Sequence, residues 1–169
     1  MAEVVLITGA SSGFGRACAT HLQARGYRVF GTSRRAAEEP AVDPEGGFMM
    51  VRMDVDDDAS VERGVAQVLQ QAGRIDALIN NAGTGIAGSL EDTPIEDVKA
   101  QLETNFFGVL RVTRAVLPTM RAQGSGKIIN ISSIGGVIGI PFQAFYSASK
   151  FAIEGMSEAL RIEVAPCGI

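Results

Sequence analysis

The sequence has little of what binds metals, cross-links chains or attracts nucleic acid. Only two of its 169 residues are cysteine, Cys18 and Cys167, and neither sits in a CxxC pair. That excludes a disulfide framework and makes a reducing, cytoplasmic location the expectation. The single histidine, His21, has no partner at metal-ligand spacing. It reads as a half-buried helix residue, and no metal is expected. The net charge is −4 with no basic block, which argues against a nucleic-acid partner. Long apolar runs are also missing. Val4–Ile7 is too short for a signal peptide and leads straight into a glycine-rich turn. Residues 128–145 are only weakly polar, but Asn130, Ser132, Ser133, three glycines and Pro141 interrupt them, so no membrane span is expected. No linker, boundary or internal repeat divides the chain, and residues 1–169 read as one domain.

Glycine, by contrast, is abundant, with 20 residues clustered in short segments. Clustering points to tight turns and close backbone approaches rather than a fibrous repeat. Between those segments, short apolar runs alternate with helical stretches. Val4–Ile7 reads as a strand covered on both faces. A helix follows the first turn and ends at Gly26. Residues 27–32 form a second strand and 48–52 a third, separated by a polar stretch with Pro40, Pro44, Gly46 and Gly47 that reads as a loop with some irregular helix. Asp56, Asp57 and Asp58 open the next helix, where negative charge favours its dipole. Ala77–Asn80 is the fourth strand. Pro94 starts a helix that continues past Asn105 to about Gln123, and 127–132 is the fifth strand. Residues 146 to about 165 are helical. The alternation predicts an α/β, Rossmann-like, doubly wound parallel sheet with helices on both faces and strand order 3-2-1-4-5. Its ligand crevice should lie at the C-terminal edge of strands one and four.

Two clusters carry chemistry. The first is Thr8-Gly9-Ala10-Ser11-Ser12-Gly13-Phe14-Gly15, between the first strand and first helix. Glycine lets a pyrophosphate approach the backbone, and the helix beyond offers free N–H groups and a positive dipole end. The spacing is TGxxxGxG rather than GxGxxG, and such turns also join strands to helices with no ligand. The second cluster is Tyr146-Ser147-Ala148-Ser149-Lys150, which puts Tyr146 and Lys150 on one helix face. Ser133 lies 13 positions earlier at a strand end, and Asn80-Asn81-Ala82-Gly83 closes the fourth strand on the same edge. Asn105 sits inside a helix, where asparagine is a weak former.

Together, in this order and spacing, TGASSGFG at 8–15, NNAG at 80–83, Asn105, Ser133 and YSASK at 146–150 resemble the short-chain dehydrogenase/reductase family. The likeness spans nearly the whole chain. Residues 104–169 are most similar to the branch with 17β-hydroxysteroid and retinol dehydrogenases. The resemblance implies an NAD(P)-dependent oxidoreductase that moves a hydride between nicotinamide and a carbonyl/alcohol pair. Tyr146 would be the general acid/base, Lys150 would assist it and hold the nicotinamide ribose, Ser133 would hydrogen-bond the substrate oxygen, and Asn105 would hold a relay water. Lysine beside tyrosine has a physical rationale. A free phenol titrates at about 10, and an ammonium about 4 Å away stabilises a phenolate by roughly 4 kcal/mol at an effective dielectric near 20. The resemblance further implies nucleotide contacts from Thr8, Gly9, Ser11, Ser12, Gly13, Phe14, Gly15, Ser33, Arg34, Asp54, Val55, Asn81, Ala82, Gly83, Tyr146 and Lys150. Asp54 matches an adenine-contacting acid, although a turn or cap residue reads nearly as well there.

The second strand is followed by Ser33, Arg34 and Arg35, with no acid before Glu38. An acid at that edge would select NAD(H), whereas a guanidinium accommodates a 2′-phosphate, so NADP(H) is expected to be preferred. The uncharged residues 134–142 suggest an apolar carbonyl or alcohol substrate, or else core packing. Small and apolar residues such as Val109, Val112, Val116, Phe151, Ala152 and Gly155 resemble a family pairing surface, which implies a homodimer or homotetramer; the alternative is that they cover the sheet. The 169 residues lack the family's last two strands and the segment that completes the substrate pocket. The piece is therefore expected to hold the catalytic set, to leave the fifth strand at the sheet edge, and to be incomplete as an enzyme. The competing reading is a catalytically silent NADP-binding regulator, which would have no need of Ser133, Tyr146 and Lys150 together. A sugar-nucleotide epimerase is disfavoured by the spacing of Gly13 and Gly15.

Overall fold

A computed structural model describes residues 2–169. Val4–Ile7 (β1) is wholly buried, as a strand between two helical layers must be. It pairs in parallel with β2 (Arg28–Ser33) on one side and β5 (Ala77–Asn80) on the other. Beyond β2 lies β4 (Met49–Arg52), and beyond β5 lies β6 (Lys127–Asn130), both parallel. These are the five expected runs in the expected order; β1 and β5 have the expected bounds, and the other three are shortened or shifted by a residue or two. The stretch between β2 and β4 holds a difference. Instead of irregular helix it contains a two-residue strand, β3 (Ala41–Val42), antiparallel to β4 at the sheet edge, giving the order β3-β4-β2-β1-β5-β6. Both its residues are exposed, so no apolar pattern announces it.

Right-handed crossovers distribute the helices over the two faces. Helix α1 (Gly13–Ala24) follows β1 and packs beside β2; Val5, Ile7, Val29, Phe48 and Ile79 form the core on its side. On the other face, α2 (Asp58–Ala72) and α4 (Gly108–Gln123) bury Leu6, Phe30, Val51, Leu78, Val112 and Val116. Val109, Val112 and Val116 are thus core residues covering the sheet, not part of an outer pairing face. Helix α5 (Ala144–Val164) shares that layer. Asn80 and Asn130 are cross-strand neighbours; Asn80 donates to Thr113 of α4 at 3.1 Å, and Asn130 donates to Ser157 of α5 at 2.8 Å. Helix α3 (Ile95–Leu102) runs into α4 through one widened turn, Glu103–Phe107, whose bonds span five residues. Within the described residues β6 pairs only with β5, and Ile129 is half exposed. His21, expected to be half-buried, is exposed on α1. No helix among the described residues is long and apolar enough to cross a membrane.

The acidic run before α2 acts as a cap. The Asp57 carboxylate accepts the Ser60 N–H at 2.6 Å, and Asp58 opens the first turn. Asp57→Ala leaves that N–H without its side-chain partner and is expected to cost about 1 kcal/mol. Thermal unfolding should show a Tm lower by about 2–4 °C, and an unchanged Tm would mean that water replaces the carboxylate without loss.

Candidate active site

The turn after β1 is held from the β5 side. Thr8 is buried, and its hydroxyl accepts the backbone N–H groups of Asn81 at 2.9 Å and Ala82 at 3.0 Å. The Asn81 side-chain amide donates back to the carbonyls of Thr8 at 3.0 Å and Gly9 at 3.1 Å. A third tie runs from Ala10 N–H to the Thr32 carbonyl on β2, 2.8 Å. Two glycines are required by this packing. Gly9 has φ +68°, and a Cβ there would stand 2.9 Å from the Ala82 Cα. A Cβ on Gly15 would stand 2.3 Å from the Asn81 amide nitrogen. Helix α1 then begins with no acid in its first turn and no side-chain cap, so its N-terminal N–H groups and positive dipole end remain available to an anion.

In front of the turn lies a cleft of about 450 Å³ lined by Gly9, Ser11, Ser12, Ser33, Arg34, Arg35, Met53, Asp54, Val55, Asp56, Asn81, Ala82, Gly83, Thr84 and Thr104. Most of the expected nucleotide residues are gathered here. Thr8, Gly13, Phe14 and Gly15 are not on its wall: Thr8 and Gly15 shape it from behind, and Phe14 points into solvent. Asp54 does double duty, lining the cleft while its carboxylate accepts the Asp56 N–H at 3.2 Å in a local turn. Asp56 and Thr104 were not expected. Asp56 accepts from the Thr104 hydroxyl at 2.9 Å, and its other oxygen is buried without a partner. Burial raises the Asp56 carboxyl above the ordinary range, opposed by the Thr104 hydrogen bond and reinforced by Asp54 and Glu103. The signal for Asp56 was the charge run, which reads equally well as a helix start.

A second cleft, about 430 Å³, shares Asn81, Gly83 and Thr84 with the first and is lined beyond them by Gly85, Ile86, Ala87, Ile131, Ser132, Gln143, Tyr146 and Lys150. Tyr146 and Lys150 face it together from successive turns of α5. The Lys150 ammonium donates to the Ile131 carbonyl at 2.7 Å and lies 5.7 Å from the centre of the Tyr146 ring. Ser133 is not on the wall; its Oγ accepts the Gly135 N–H at 3.1 Å, and its neighbour Ser132 lines the cleft instead. Asn105 is buried in the widened turn with both side-chain donors committed, one to the Thr84 carbonyl at 2.8 Å and one to Ser149 Oγ at 3.1 Å, while its oxygen accepts the Thr84 N–H. Ser149 passes the link on by donating to the Tyr146 carbonyl at 2.7 Å. The apolar segment after Ser133 is not core: Ile134, Val137, Ile138 and Phe142 are all more than half exposed. Phe142 adopts φ +60°, a strained conformation for an aromatic residue, and its carbonyl accepts the Gly88 N–H at 2.8 Å.

A glycine-rich strand–turn–helix beside a tyrosine–lysine pair, at the C-terminal edge of a parallel sheet, is the arrangement of a doubly wound α/β protein with one continuous crevice. The chain belongs to the short-chain dehydrogenase family, whose model matches residues 3–169. It is 54% identical over 164 residues to a 3-ketodihydrosphingosine reductase of Bacteroides thetaiotaomicron, covering 97% of this chain and 59% of the relative. It is 38% identical over 177 residues to 17-beta-hydroxysteroid dehydrogenase type 1 of Mus musculus, covering 98% of this chain and 51% of the relative. Among solved structures it resembles a short-chain dehydrogenase from Streptomyces avermitilis (44% identity, TM-score 0.91, all of this chain and 63% of that one). It also resembles ElxO with NADP bound (31% identity, TM-score 0.94, all of this chain and 71% of that one). The chain spans between 51% and 61% of the length of the curated relatives it matches.

Burial pushes the Lys150 ammonium below the ordinary lysine pKa. The unfolded chain therefore binds more protons than the folded one between the lowered value and the ordinary lysine value. Stability is expected to rise with pH across that window; below it both states are charged and the full desolvation penalty stands. Urea unfolding from neutral pH to about pH 10 should show this rise in the wild type and its loss in Lys150→Met. Parallel pH profiles for the two proteins would rule it out.

Proposed function

We propose that the chain carries the nucleotide site and the proton-transferring residues of a nicotinamide-dependent oxidoreductase acting on a carbonyl/alcohol pair, with NADP(H) preferred. The observation that carries this reading is the sharing of Asn81, Gly83 and Thr84 between the cleft before the glycine-rich turn and the cleft of Tyr146 and Lys150. A dinucleotide laid along both would have its phosphates at the start of α1 and its reactive ring near Tyr146. The residues fit such a group: Gly9 and Gly15 leave the backbone bare, α1 offers free N–H groups, and Asp56 keeps an unpaired oxygen. When bound, the nicotinamide gives or takes the hydride.

The chain's own residues do the rest. Tyr146 passes a proton to or from the substrate oxygen. Lys150, held by the Ile131 carbonyl, supplies positive charge beside the tyrosine and hydrogen-bonds the ribose. Ser133 lies off the cleft wall, beside Ser132, but it accepts only one bond, from Gly135, so its O–H is uncommitted and in this reading turns to the substrate oxygen. Asn105 is a positioning residue in this reading, because its side chain is tied to Thr84 and, through Ser149, to the backbone of Tyr146. An apolar substrate is supported by the uncharged, exposed lip of Ile134, Val137, Ile138 and Phe142, and by the relatives named for 3-ketodihydrosphingosine and a 17-beta-hydroxysteroid. Self-association as a dimer or tetramer is supported by Phe107, Phe151 and Ile162 standing exposed.

Two substitutions test the reading. In a form of the protein that turns over an aliphatic ketone, Tyr146→Phe should lower that turnover at least about a hundredfold while leaving the NADPH dissociation constant nearly unchanged. Retained turnover would remove Tyr146 from the chemistry. Arg34 lines the nucleotide cleft, where its guanidinium would give a 2′-phosphate a charge-assisted hydrogen bond. Arg34→Ala should weaken NADPH about ten- to a hundredfold and NADH much less. Equal losses, measured by fluorescence titration, would show that Arg34 does not meet the 2′-phosphate.

A further inference from the structure

Arg34 lines a second cleft besides the one in front of the turn. This neighbouring cleft, about 390 Å³, is bounded by Arg34, Glu38, Arg52, Asp54 and the first turns of α2. Arg52 is the last residue of β4 and stands in register with Ser33, the last residue of β2, so its side chain leaves the sheet beside the nucleotide edge. There it pairs with Glu38. Glu38 lies between the end of β2 and β3, which runs back antiparallel beside β4, and its carbonyl is tied to α2 by the Gln67 amide at 3.2 Å. Glu38 is thereby the acid nearest in sequence to Arg34, brought to the wall of a cleft that Arg34 also lines. Among the described residues Arg34 itself forms no ion pair.

We propose that Arg52 is a specificity-determining residue for the nucleotide: by engaging Glu38 it keeps that carboxylate off the Arg34 guanidinium and away from a 2′-phosphate. The inference rests on the reading that Arg34 meets that phosphate. A role in stability does not account for the pair. Glu38 is 79% exposed and Arg52 47%, and an ion pair so open to water contributes little to folding. Its consequence is where the negative charge sits. Without Arg52, the Glu38 carboxylate has Arg34 and Arg63 as the remaining cations lining that cleft. Pairing with Arg34 would consume the group that reads the phosphate, and an unpaired carboxylate would repel it. Either result penalises NADP(H) and spares NAD(H), which carries no phosphate there. Glu38 would then do what an acid at the end of the second strand does in NAD-selective sheets of this kind, with Arg52 holding it out of play.

The test is a double-mutant cycle on nucleotide affinity. NADPH and NADH dissociation constants are measured by fluorescence titration for the wild type, Arg52→Gln, Glu38→Gln and the double variant, with Tm recorded for each. Arg52→Gln should weaken NADPH about three- to tenfold, leave NADH unchanged, and keep the wild-type Tm. Adding Glu38→Gln should restore NADPH affinity, and the Arg52→Gln loss should shrink at about 0.5 M salt as exposed charges are screened. Unchanged NADPH affinity in Arg52→Gln overturns the inference. So do equal losses for the two nucleotides, or a loss that Glu38→Gln fails to reverse, which would mean direct contact between Arg52 and the nucleotide. A wild type that binds both nucleotides equally overturns the 2′-phosphate reading and this inference together. A wild type that prefers NADPH through Arg34 but is indifferent to Arg52 overturns this inference alone.

Discussion

Everything at the C-terminal edge of the sheet depends on the lock between the first turn and the end of β5. Thr8 accepts two backbone N–H groups from the β5 side, and the Asn81 amide returns two bonds to the backbone of Thr8 and Gly9. These four bonds join segments far apart in sequence, and they lie where the sheet's own ladder has ended. Without them the turn would have to satisfy its polar groups in water, and its shape would be that of a free glycine-rich loop. With them, the start of α1 is aimed at a cleft whose far wall is the same Asn81–Gly83 segment. Each of the two clefts takes a wall from that lock.

A second set of polar ties fixes α5 against the sheet. Lys150 reaches the Ile131 carbonyl, and two turns further along Ser157 receives a bond from Asn130. Asn130 in turn accepts from Asn80 at 2.9 Å, and Asn80 also donates to Thr113. An apolar interface of the same area would hold the helix equally well but would tolerate sliding. Directional bonds at two heights along α5 do not, and a helix that cannot slide presents Tyr146 and Lys150 to the cleft at one fixed level. The Asn105–Ser149–Tyr146 link adds a third point, on the side facing the widened turn.

Much of this was legible in the sequence, and the parts that were not share a cause. Five apolar runs divided by helical stretches permit few topologies once crossovers are right-handed, so the strand order could be read. Tyr146 and Lys150 could be placed on one face because helical spacing demands it. Ala41 and Val42 could not be read as a strand. Their pairing rests on β4 alone, and two exposed residues carry no periodicity. The valines of α4 were ambiguous because sheet-covering and copy-pairing residues have the same composition; only the packing shows Val112 and Val116 in the core. Which of Ser132 and Ser133 faces the second cleft depends on a hydrogen bond from Gly135, invisible in spacing. Asp56 was read as helix-start charge, since nothing along the chain announces that Thr104 comes to meet it.

The absent side chain at Gly15 has a consequence beyond the turn itself. A Cβ there would stand 2.3 Å from the Asn81 amide nitrogen and 2.5 Å from the Gly9 carbonyl oxygen, so it would meet both a side chain and the backbone of the turn. A smaller residue at 81 relieves only the first overlap, and it gives up the bonds to Thr8 and Gly9 as well. Change at 81 therefore opens no route to a larger residue at 15. A library that varies position 15 should return mainly glycine, whatever residue 81 carries.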